Sequence, residues 1–191
     1  MIESLKTGTI LYHGSYCEVR QPDLQKCKQY KDFGQGFYLT KDLKQAKNFA
    51  KLSTKKAYEN GQIKFNQNYG IVSCFQYEAT ESLRIKIFED ANVEWLHCVV
   101  GHRKDNIFLP IISDMKKYDI IGGKIANDAT NATILTYISE VFGKIGTVQA
   151  DTICINLLLP NRLQDQYCFK TDKAIQQLRF LKSLKYEYRH K

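Results

Sequence analysis

Three short segments place polar side chains beside small residues on apolar stretches, the pattern that leaves backbone and side-chain groups open to a ligand. The first is Leu11-Tyr12-His13-Gly14-Ser15. A histidine followed at once by glycine and serine offers an imidazole, a hydroxyl and an unshielded backbone within three residues. The second is Asp32-Phe33-Gly34-Gln35-Gly36-Phe37-Tyr38-Leu39-Thr40, two glycines leading into an aromatic strand. On its own it reads as a glycine turn before a strand. The third, Asp165-Gln166-Tyr167-Cys168-Phe169, says by itself no more than strand.

The elements that would hold these segments follow from periodicity. Thr9–His13 and Gly36–Thr40 read as short buried strands, with a lysine-rich loop between them. Residues 42–59 predict a helix with Leu43, Ala46, Phe49/Ala50, Ser53 and Ala57 on one face and Gly61 as its stop. Strands are expected at 69–77 and 83–88, and a helix at 92–101 with Trp95 in the core. Tyr118–Gly123 reads as a buried strand running into a glycine turn. Helices follow near 129–142 and 147–159, then a strand at 166–169. Thr171 caps a helix that turns Ala174, Leu178 and Leu181 inward, and 184–189 adds a last strand. Strands and helices mingle without regular βαβ spacing, so the class is α+β, one domain over residues 1–191.

Taken together, the three segments resemble the ADP-ribosyltransferases of the PARP and diphtheria-toxin type. The middle one is the most specific: Phe33-Gly34-Gln35-Gly36-Phe37-Tyr38 followed by Lys44-Gln45-Ala46-Lys47-Asn48-Phe49. Tyr118–Asp128 is similar to a bacterial branch of that superfamily. The resemblance implies a split, twisted β-sandwich with flanking helices and a His-Tyr-Glu triad, here His13, Tyr38 and Gln166. It implies NAD⁺ as substrate. His13 would bind a ribose 2′-hydroxyl, Gly14 and Ser15 the nicotinamide carboxamide, and Tyr38 would stack on the nicotinamide ring. Gly36 would be small so that the ligand can approach, and Phe37 would be core.

Gln166 stands where the family has its catalytic glutamate. A glutamine can orient a ribose hydroxyl, but it brings no charge and is no general base. Single ADP-ribose transfer to a protein or nucleic-acid acceptor is therefore expected, without polymer. NAD⁺ hydrolysis and a catalytically silent NAD⁺- or ADP-ribose-binding module are the alternatives. A toxin role, with an antitoxin partner, fits either active reading.

Other candidates carry less. Asp119 and Asp128 flank the Gly122-Gly123 pair and either turn the chain or shape the cleft. His97, Cys98 and His102 do not make a zinc site, because the five-residue spacing parts the histidines around a helix. No metal is expected. The six cysteines read as reduced, mostly buried thiols. The net charge of +8 concentrates in residues 20–56 and 170–191, as solvated helix faces or a weak bias toward an acidic acceptor. No apolar run is long enough to span a membrane and the N-terminus does not read as a signal peptide, so a cytoplasmic location is expected.

Overall fold

The structure, a computed structural model, describes residue 2 and residues 4–65, 67–126, 128–159 and 163–188, leaving aside the side chains of residues 128 and 129. Among the described residues it is α+β, with two sheets and six helices. In chain order these are β1 (Ile10–Ser15), β2 (Phe37–Leu39), α1 (Leu43–Glu59), β3 (Tyr69–Tyr77), β4 (Ile85–Ile87), α2 (Val93–Arg103) and α3 (Leu109–Met115). Then come β5 (Ile120–Lys124), α4 (Asp128–Ile138), α5 (Val148–Leu158), β6 (Asp165–Phe169), α6 (Asp172–Ile175) and β7 (Leu178–Glu187).

The first sheet runs β1-β3-β7, all antiparallel; the second runs β2-β6-β5-β4, with β4 and β5 parallel. Parallel neighbours need a crossover, and α2 and α3 supply it. A bridge between Tyr12 and Thr40 stitches the sheets together, Tyr12 N donating to Thr40 O at 2.8 Å and Thr40 N to Tyr12 O at 3.0 Å.

Alternation along the strands builds three apolar layers. Leu11, Phe75 and Tyr77 of the first sheet meet Phe37, Leu39, Ile120, Tyr167 and Phe169 of the second. The opposite face of the second sheet, with Ile121 and Cys168, packs under α2, α4 and α5 through Trp95, Val99, Tyr137 and Cys154. Across the first sheet, Ala46 and Ala50 of α1 pack on Val72 and Cys74. Asp42 caps α1, its carboxylate accepting from Lys44 N at 2.7 Å and Gln45 N at 3.2 Å.

The structure departs from the sequence expectations in three places. Gly122 and Gly123 lie inside β5 rather than in a turn. A Cβ at Gly122 would come 2.7 Å from Ile87 Cδ1, and one at Gly123 would come 2.8 Å from Phe33 Cζ, so a close approach rather than a turn demands glycine. The helix after Thr171 lasts only Asp172–Ile175; Leu178 already belongs to β7, which holds a nine-residue pairing with β3. Sheet pairing overrides the helical spacing of Ala174, Leu178 and Leu181. Finally, α3 falls in a stretch read without any element.

Candidate functional site

β1 and β2 meet where the stitch between the sheets ends, and this seam brings His13 to Tyr38. His13 Nδ1 lies 2.8 Å from the Tyr38 carbonyl, and its ring packs on Phe37 at a centroid distance of 4.4 Å. A carbonyl only accepts, so Nδ1 carries the proton and Nε2 is the acceptor of the neutral ring. Crowding by the surrounding chain pushes the His13 pKa below its ordinary value, with the Tyr38 carbonyl acting in the opposite direction.

Tyr38 itself faces the helical side of the second sheet. Its hydroxyl accepts from Phe33 N at 2.9 Å and donates to Gly34 O at 2.8 Å, tying the ring to the glycine segment. Burial, then the proximity of Cys168 and Asp32, raises its pKa well above the tyrosine range. Gln166 and Cys168 of β6 share this face. Burial pushes the Cys168 thiol up to about 12, so it is no thiolate nucleophile near neutral pH.

Gln166 is almost fully buried and engaged in a network that the sequence did not announce. Its Nε2 donates to Asp32 Oδ2 at 2.7 Å, which also accepts from Ala126 N at 3.0 Å. Asp32 Oδ1 receives the Arg103 guanidinium, from Nε at 3.1 Å and from Nη2. Arg103 then reaches Asn131 Oδ1 and Ala126 O, each at 3.0 Å. Four separate stretches of chain are thus locked behind one glutamine. Asp32 could have been noticed as the acid directly before the Phe-Gly-Gln-Gly segment; its partner Arg103, 71 residues away, gives no signal in spacing.

The glycines and serine of the predicted site sit under tight packing. A Cβ on Gly14 would lie 2.0 Å from Ala46 O and 2.7 Å from Ala50 N, and one on Gly36 would lie 2.4 Å from Cys168 Sγ. Both are small where secondary elements close on each other. Ser15 is buried, with its hydroxyl 3.9 Å from Cys17 Sγ. The structure therefore gathers His13, Tyr38 and Gln166 around β2 and β6, with the imidazole on the inter-sheet side and the Tyr38 and Gln166 side chains on the helical side. A cleft of about 340 Å³ opens where these strands end, lined by Thr40, Lys41, Asp42, Gln45, Gln164, Asp165 and Tyr167.

The weaker candidates have structural partners. Asp119 clasps two elements, accepting from Arg84 N at 2.8 Å and from the Thr171 hydroxyl at 2.9 Å. Asp128 begins α4, and neither its side chain nor Asn127 is among the described parts. His97 pairs with Asp151 at 2.8 Å, whereas His102 Nδ1 meets Cys98 O at 2.9 Å, so the two histidines serve different neighbours. All six cysteines are free thiols, four of them buried. Trp95 is wholly buried and donates to Lys124 O at 2.9 Å. Among the described residues no helix is long and apolar enough to cross a membrane.

Compared with known proteins, residues 9–180 match the family described as "Protein of unknown function (DUF3990)", and the chain belongs to it. No curated protein and no solved structure matches.

Proposed function

For this member of the DUF3990 family, we propose mono-ADP-ribosyl transfer from NAD⁺ to a macromolecular acceptor, on an ADP-ribosyltransferase-like pair of sheets. The observation that carries the reading is the His13–Tyr38 contact of 2.8 Å. It holds a neutral imidazole, with Nε2 as the hydrogen-bond acceptor for a ribose hydroxyl, against the backbone of the strand that carries Tyr38, whose ring lies on the other face of that strand. Gln166, on the strand next to Tyr38, is the third member.

The chemistry asked of these residues is modest. The bond between ribose C1′ and nicotinamide nitrogen breaks, its electron pair neutralising the pyridinium as nicotinamide leaves. An acceptor lone pair then bonds C1′, and the acceptor loses its proton to solvent. His13 and Gln166 orient the ribose, and Tyr38 holds the leaving ring; positioning supplies much of the acceleration. With glutamine in place of a charged group, activation of a further ribose hydroxyl is absent, so one ADP-ribose is added and no polymer grows.

The test is to incubate the protein and its His13→Ala variant with NAD⁺ labelled in the adenylate and a cell lysate. Free nicotinamide and label retained on protein or nucleic acid are both measured. Nicotinamide release by the wild type alone, with retained label, supports transfer. Release with only free ADP-ribose would convert the reading to NAD⁺ hydrolysis, and absence of release would overturn both.

A further inference from the structure

A carboxylate lies directly behind Gln166. Asp32, about 6% exposed, touches the Gln166 amide at 2.7 Å and is itself gripped by Arg103 and Ala126 N. A carboxylate carries no hydrogen and can only accept, so Gln166 must turn its NH₂ inward. The opposite flip would bring Oε1 against Oδ2, two acceptors at a hydrogen-bonding separation. The amide plane then fixes Oε1 on the side away from Asp32. An ionised glutamate at 166 would meet a second buried carboxylate at the same distance, which like charges forbid without protonation or displacement.

We propose that Asp32 is the positioning residue of this site: it holds Gln166 with its carbonyl oxygen as the acceptor offered to the ribose hydroxyl, and it bars an ionised glutamate from that position. The inference rests on the reading that Gln166 faces the ribose. Arg103 is part of the same device. Its fork balances the Asp32 charge and, through Asn131 and Ala126 O, anchors the carboxylate to α4 and the end of β5. The carbonyl–hydroxyl bond strengthens as positive charge develops on the ribose, so losing it lowers kcat more than it raises KM.

The experiment is a double-mutant cycle of Asp32→Asn, Gln166→Glu and the two combined, read both as thermal melting midpoint and as kcat and KM for nicotinamide release. In Asp32→Asn the charged Arg103 fork keeps the asparagine oxygen, so the asparagine NH₂ faces Gln166 and forces its amide to flip, while the Ala126 N–H loses its acceptor and the melting midpoint falls. A folded protein with kcat down about tenfold and KM nearly unchanged is expected. Gln166→Glu alone should lower the melting midpoint. The combined variant should recover in part in both readouts relative to the sum of the single losses, because the asparagine NH₂ now donates to the glutamate although the Ala126 N–H still lacks its acceptor. Additive losses in the cycle, or wild-type kcat in Asp32→Asn, would overturn the proposal. If the wild type releases no nicotinamide, the transferase reading fails and the catalytic part of the inference falls with it. The melting cycle then still decides whether Asp32 sets the state of residue 166: non-additive midpoints support that coupling and additive ones overturn it.

Discussion

At Tyr38 one residue serves three neighbours: its carbonyl holds His13, and its hydroxyl joins Phe33 N to Gly34 O. These roles separate by substitution. Tyr38→Phe keeps the ring but strands the Phe33 amide and the Gly34 carbonyl, so a loss of about 1–3 kcal/mol in urea denaturation is expected. Stacking needs only the ring, so NAD⁺ affinity by calorimetry should change little in Tyr38→Phe and fall clearly in Tyr38→Ala. Equal weakening in both would assign the effect to the hydroxyl tether and remove stacking from the account.

Between elements, α1 closes tightly on the first sheet at Gly14, which lies under the backbone of Ala46 and Ala50. Backbone cannot swing aside as a flexible side chain can. Gly14→Ala should therefore cost more than about 3 kcal/mol or abolish folding, measured by urea midpoint. Gly61, whose Cβ would meet nothing within 4 Å, makes the contrast, although its φ of +68° leaves alanine mildly strained there. The same region shows what the sequence could and could not disclose. The helix expected at 42–59 appears as Leu43–Glu59, since its cap and its small apolar face are local signals. The strands carrying His13, Tyr38 and Gln166 were equally readable. Their mutual arrangement was not, because it depends on pairings such as Tyr38 with Cys168, 130 positions apart. The second half of β7 was legible as the strand expected at 184–189, but its first half was not: Leu178 and Leu181 fit a helical period, whereas pairing with β3 leaves Leu178 buried and Leu181 exposed instead of inward. Asp32 stood in plain view within the glycine segment, yet nothing local said that it would meet Gln166 and Arg103.

Over the whole molecule, the helices covering the second sheet are fastened by buried polar clasps as well as by apolar packing. Tyr137 donates to Asp151, which also meets His97, joining α4, α5 and α2; the Tyr137 oxygen in turn accepts from Gly146 N at 2.9 Å. His102 closes the same layer against the glycine segment, where a Cβ on Gly34 would lie 2.6 Å from its ring. Burial first, and the nearby Lys170 ammonium second, push the His102 pKa down to about 4, against 6.5 for an unhindered imidazole. The native state thus keeps His102 neutral where the unfolded chain protonates it. Above pH 6.5 the group is neutral in both states and costs nothing. Between 6.5 and about 4 the unfolded state binds the extra proton, so stability falls as the pH falls; below about 4 both states are protonated and the loss levels off. A shift of this size corresponds to a loss on the order of 2–3 kcal/mol across that window. His102→Gln should lose some packing at every pH, yet its urea midpoint should decline less than that of the wild type between pH 7 and pH 4. Parallel declines for the two proteins would place the acid sensitivity elsewhere in the molecule.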